Sequence, residues 1–153
     1  MSRILKRVGL YVVLLVCAVA LSRLVLYLRV LDASALDTPI AMNVRLLEDR
    51  DSLNPNTVAH LKNVRIDSEE VITCLFDEIR AATLHGTRPA NPFERYPVYL
   101  MILEYDEGAQ DTFMYIEVAA DRRITVNIDG KTAYYGYISQ ATYDLLSAAY
   151  HDS

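Results

Sequence analysis

From Val8 to Ser22 the chain carries no charged side chain, and after Arg23 the apolar character resumes from Leu24 to Leu28. Coiled as a helix, Val8 to Leu28 spans about 31 Å, which matches the hydrocarbon core of a bilayer. This run divides the chain. Residues 1–31 read as a cytoplasmic tip and a transmembrane signal-anchor helix, with Val8 to Val30 as the membrane contact. Residues 32–39, rich in Asp, Ala and Ser and closed by Pro39, read as a linker, and residues 40–153 as an extracytoplasmic domain.

The flanking charges give the run a direction. Arg3, Lys6 and Arg7 precede it, and Asp32 and Asp37 follow it, which favours a cytoplasmic N-terminus; Arg29 on the far flank weakens the asymmetry. The alternative is a signal peptide cleaved near Ala20, after the small-residue pattern Ala18-Val19-Ala20, giving a secreted product. Against it, Leu21 to Leu31 would be an unusually apolar new N-terminus. Arg23 is the anomaly of the span, because a cation in the bilayer centre costs about 2.5–3.5 kcal/mol and less near an end. Snorkelling to the surface accommodates it. A partner helix with a buried acid is the sharper reading, and it makes Arg23 a candidate binding residue.

Residues 1–31 hold five basic and no acidic side chains, leaving ten basic against twenty acidic residues in the rest. A part with net charge −10 is repelled by phosphate backbones, so no nucleic acid is expected as a partner. Some 115 residues suit a single hydrophobic core. The only cysteines, Cys17 in the apolar run and Cys74 in an expected helix, occupy different solvents and are not expected to pair.

The periodicity of the domain alternates between two and 3.6 residues. Ile40, Met42, Val44 and Leu46 alternate with Ala41, Asn43 and Arg45 as a half-buried strand, and Val64 and Ile66 suggest a short second one. Asp67 and Glu70 are placed to cap a helix whose apolar face is Val71, Ile72, Leu75, Ile79 and Ala82, bordered by Phe76 and by Cys74 as a small buried hydrophobe, with Gly86 as the stop. Val98 to Tyr105 reads as a central strand, Asp111 to Ala119 as the next, Ile124 to Ile128 as a third and Lys131 to Ile138 as a fourth. Turns are expected at Glu107-Gly108, Asp121-Arg122 and Asp129-Gly130. Ser139 caps a last helix, Gln140 to Tyr150. The fold class is therefore α+β: an N-terminal transmembrane helix, then a mostly antiparallel sheet with two helices packed on one face.

Chemistry is sparse in this pattern. His60, His85 and His151 stand in an expected loop, at a helix end and at the C-terminus, with no metal-ligand spacing, and Asp49, Asp51 and Asn54 lack the oxygen donor and glycine of a calcium loop. No nucleophile elbow, phosphate loop or dinucleotide fingerprint occurs, so no cofactor, no metal and no catalytic residue is assigned. Glu104 and Asp106 share a strand face, but beside a turn where charges are usually solvated. Eleven tyrosines and no tryptophan form the strongest bias. Tyr135 and Tyr137 share one face of the last strand, opposite Tyr134, and are candidate binding residues, although tyrosine also suits a half-wet sheet for packing reasons alone.

The segments Tyr99 to Tyr105, Ile124 to Lys131 with Tyr134 and Tyr135, and the helix from Ser139 to Leu146 together resemble the small extracytoplasmic domains of uncharacterised Gram-positive bacterial lipoproteins and membrane-anchored proteins. The likeness runs from Ile66 to Tyr150. It implies a surface-facing α+β domain in the bacterial envelope and carries over no catalytic residue. Val16, in place of a small residue before Cys17, departs from the lipoprotein members. The expected function is a noncatalytic module binding an envelope protein or a small ligand; the alternatives are a membrane-complex subunit joined through Arg23 and an envelope enzyme of unrecognised class.

Overall fold

The computed structural model describes residues 3–49, 52, 57, 60–87, 96–106, 114–128 and 132–153. Helix α1, Arg3–Tyr27, follows from a Leu- and Val-rich stretch without proline, and its Ser22 hydroxyl donates to the Val19 carbonyl at 2.8 Å. The part from Val8 to Tyr27 has a mean hydropathy of 2.4 and is long and apolar enough to cross a membrane; none of it is buried by the rest of the chain.

Eight strands form one antiparallel sheet: β1 (Val30–Leu31), β2 (Ala41–Leu47), β3 (Asn63–Ile66), β4 (Leu84–Thr87), β5 (Val98–Glu104), β6 (Met114–Ala119), β7 (Arg123–Ile128) and β8 (Thr132–Tyr137). Their spatial order is β1-β4-β8-β7-β6-β5-β2-β3. The expected meander is present as β5 to β8, and the α+β class holds, with α2 (Glu69–Ala81) and α3 (Gln140–His151) completing it. The turns expected at Glu107-Gly108 and Asp129-Gly130, the start of the strand expected from Asp111, and Asp51 and Asn54 lie outside the described residues.

Alternation along each strand sorts the side chains into two sets. One set, including Met42, Val44, Val64, Ile66, Tyr99, Met101, Ile116, Val118, Ile124 and Val126, forms a single core cluster with Val71, Ile72, Leu75, Phe76 and Ile79 of α2 and Leu146 and Tyr150 of α3. The other set contributes Leu47, Val98 and Ala119 to a smaller cluster with Leu61, Tyr96 and Leu100. No residue of α2 or α3 joins this smaller cluster among the described residues.

Several local expectations are corrected. Ser68, not Asp67, caps α2, its hydroxyl accepting from the Val71 amide, while Asp67 forms an ion pair with Arg65 at 2.8 Å. The helix stops at Ala81 rather than at Gly86, because Leu84 to Thr87 is a strand bonded to β8 and β1. Gly86 is required there for a different reason: a Cβ would lie 2.4 Å from the Leu26 carbonyl oxygen, so only glycine lets α1 approach β4 this closely. Cys74 is exposed and Phe76, expected at the margin of the face, is fully buried, so the buried stripe of α2 is rotated toward Phe76. Ile40 lies outside β2 and is exposed. His85 is on strand β4, not at a helix end.

The stretch between the helix and the first long strand is tied down. Val30 and Leu31 pair with His85 and Leu84, Asp32 caps a 3-10 turn at Ala33–Ala35 by accepting from the Ser34 amide, and the Arg80 guanidinium donates to the Leu36 carbonyl at 2.9 Å and to the Thr38 hydroxyl.

Glu78 joins the two helices. Its carboxylate accepts from the Ser139 amide at 2.6 Å, the Ser139 hydroxyl and the Thr142 hydroxyl at 2.7 Å. Burial acts to raise its pKa, but these hydrogen bonds outweigh it and hold the carboxyl below the usual range. Glu78→Ala leaves the buried Thr142 hydroxyl without this acceptor and is expected to cost about 1–2 kcal/mol. A denaturant midpoint that falls with unchanged slope is the readout.

Candidate functional site: the outer face of the sheet

The strand registers place two continuous rows of side chains on the face opposite the main core. In the first, Arg45, Leu100, Glu117, Thr125, Tyr135, His85 and Val30 are successive cross-strand partners. In the second, Asn43, Ile102, Tyr115, Asn127 and Ala133 follow one another in the same way. A face that carries polar groups in the middle of the sheet is unlike the apolar set behind it, and two of these groups, Glu117 and Asn127, are buried.

Glu117 is its most perturbed group. Its residue is only 5% exposed, and burial pushes the carboxyl pKa up to about 7, with the Asn127 amide, 3.4 Å away, and the positive charge of Arg123 opposing that rise. Tyr115 on the same face is also raised, first by burial and then by Glu117. Two strands away, Arg45 Nε is buried without a hydrogen-bond partner among the described residues. Sequence reading passed over these residues. The signal was there in part: Glu117 is the only charged residue of β6, set between Ile116 and Val118.

Of the paired carboxylates, Glu104 accepts from the Asn43 amide and is bonded to Arg65 Nε at 3.2 Å, while Asp106 is exposed beyond the end of β5. The structure does not assemble them into an acid–base pair. The hydroxyls of Tyr105 and Tyr143 are shifted the wrong way for nucleophilic or basic work: burial drives Tyr105 up to about 12, with Asp37 adding to the rise and Arg80 opposing it, and Tyr143 is likewise raised by burial. Among the described residues no group of three His, Cys, Asp or Glu side chains is placed to hold a metal ion.

At the β1–β4 edge the face becomes aromatic. The rings of Tyr27 and His85 stack at 4.1 Å with planes 6° apart, and Tyr135 leans toward His85 with ring centres 6.3 Å apart. His85 Nδ1 lies 3.1 Å from the Tyr27 carbonyl oxygen. Tyr137, two residues beyond Tyr135 on the same face, is 59% exposed, whereas Tyr134 is partly buried against the main core. Of the three residues singled out from sequence, Tyr135 and Tyr137 thus lie together near the end of α1. Arg23 stands apart from them, exposed on the helix, and makes no hydrogen bond or ion pair among the described residues.

Comparison with known family models, curated proteins and solved structures finds no match to this chain.

Proposed function

We propose that this is a single-pass membrane protein with its N-terminus in the cytoplasm, whose extracytoplasmic domain is a noncatalytic module that binds an envelope protein or small ligand. The observation that carries the reading is the junction: a helix with an unburied apolar surface runs, with two residues between, into the edge of the sheet. The basic residues before the span and the acidic ones after it support the orientation. Glu104, which a catalytic reading would recruit, is engaged in hydrogen bonds with Asn43 and Arg65.

Photocrosslinking residues placed at Thr125 and Tyr115 in intact cells are expected to give a discrete adduct. Recovery of no adduct in any growth state counts against a binding role.

A second reading is favoured by one observation, the exposed guanidinium of Arg23 on the apolar helix, unpaired among the described residues. It makes the chain a subunit of a membrane complex, held by an acid on a partner helix. Arg23→Leu is then expected to dissolve the complex on native gels; assembly unaltered by the change retires the idea.

A further inference from the structure

We propose that the β1–β4–β8 edge of the sheet is seated against the lipid headgroup layer, with Val30, Tyr135 and Tyr137 in contact with zwitterionic phospholipid. The inference rests on the reading of α1 as a membrane span and extends it to side chains far from that helix in sequence.

The connection leaves no room for the edge to stand off. Only Leu28 and Arg29 separate α1 from β1, and both are already bonded to the helix end, the Leu28 amide to the Leu24 carbonyl and the Arg29 amide to the Leu26 carbonyl, each at 3.0 Å. Even fully extended, two residues reach about 7 Å.

The direction of approach is set by the carbonyl groups, which point along a helix toward its C-terminus. Those at the end of α1 meet β4: the Tyr27 oxygen lies 3.1 Å from His85 Nδ1, and the Leu26 oxygen occupies the space of a Gly86 Cβ. Just beyond, the Arg29 carbonyl accepts from the Gly86 amide at 2.6 Å. Helix α1 therefore meets the sheet end-on at its edge. With strands about 4.8 Å apart, β8 stands about 10 Å and β3 about 34 Å from β1. The headgroup region extends roughly 5–7 Å beyond the hydrocarbon. That places β1 and β4 within the layer, β8 about 3 Å beyond it so that its tyrosines meet only the outermost headgroup atoms, and β3 in water.

The chemistry of the edge fits this depth. Tyrosine, with an apolar ring and a polar tip, is enriched where hydrocarbon gives way to water, and the stacked Tyr27 and His85 pair continues toward Tyr135. Val30 is 55% exposed at the edge and Leu28 68% exposed beside it, an apolar surface that interfacial lipid would cover. The acidic balance of the domain disfavours anionic lipid, so the contact is with phosphocholine-type headgroups.

The chain contains no tryptophan, so single substitutions give single emitters. The full-length Val30→Trp, Tyr135→Trp, Tyr137→Trp and Lys62→Trp variants, reconstituted in phosphatidylcholine vesicles, are titrated with a headgroup nitroxide lipid and, separately, with acrylamide. Lipid quenching is expected to be strongest for Val30→Trp, to remain clear for Tyr135→Trp and Tyr137→Trp, and to vanish for Lys62→Trp near the far edge; acrylamide is expected to give the reverse order. If both tyrosine variants resemble Lys62→Trp while the protein floats with the vesicles, the edge does not touch lipid and this inference alone is overturned. A protein that fails to float overturns the span reading and the inference with it.

Discussion

Raising the pH from about 4.5 to 7 is expected to remove about 3 kcal/mol from the stability of the folded protein through Glu117 alone. Its carboxyl has an ordinary value of 4.5 and is pushed up to about 7 in the fold. Between those values the native state keeps a proton that the unfolded chain has released, so the unfolded state binds fewer protons and stability falls as pH rises. The contribution is fully present below about 4.5 and is lost on passing through about 7. Glu78 acts in the opposite sense. Its lowered pKa gives stability that is present above the ordinary carboxylate value and lost on acidification through its folded value, outside the window of Glu117. Glu117→Gln keeps an oxygen to accept from Asn127 and removes the titration. Denaturant midpoints of the full chain, taken every half pH unit in detergent, are expected to slope downward for the natural sequence and to flatten for the variant; equal slopes would show that Glu117 does not titrate there.

Phe76→Ala is expected to cost about 3–5 kcal/mol, a large part of the 5–15 kcal/mol typical of a domain. Phe76 is fully buried at the centre of the main core, where α2 meets the sheet, and its removal leaves a cavity that neighbouring side chains such as Leu75 and Ile79 fill only partly. Two positions earlier, the exposed Cys74→Ala is expected to change stability by less than about 0.5 kcal/mol. Urea titrations of the two variants separate the assignments. A larger loss for Cys74→Ala would mean that the buried stripe of α2 is wrongly placed.

This pair of residues also shows where sequence reading stops. Val71, Ile72, Leu75 and Ile79 identified α2 and most of its face, because spacing alone determines which residues can share a helical side. The rotation of the face toward Phe76 depends on what the helix packs against, which spacing does not contain. The meander β5 to β8 was legible from alternation. Strand β4 was not, since Leu84-His85-Gly86-Thr87 is short, carries a glycine and has its pairing partners in β8 and β1, distant in sequence. With β4 unseen, the ring stack of His85 on Tyr27 and the joining of the apolar helix to the sheet were also hidden. The common face of Tyr135 and Tyr137 followed from strand parity. The burial of Glu117 did not, because parity assigns a side chain to a face and says nothing of what covers that face.

We propose that the apolar segment is retained as an anchor, a reading supported by its contacts. A cleavable leader has no need of contacts with the folded part, yet Tyr27 at the end of α1 stacks on His85, the Arg29 carbonyl just beyond accepts from the Gly86 amide, and the chain leads directly into β1. Cleavage near Ala20 would leave Leu21 to Tyr27 as an apolar stub on the sheet edge. The intact mass of the protein recovered from carbonate-washed membranes tests the account most directly. We expect a chain of about the full 17.3 kDa in the membrane pellet. A shorter chain beginning near Leu21, released into the supernatant, would contradict it.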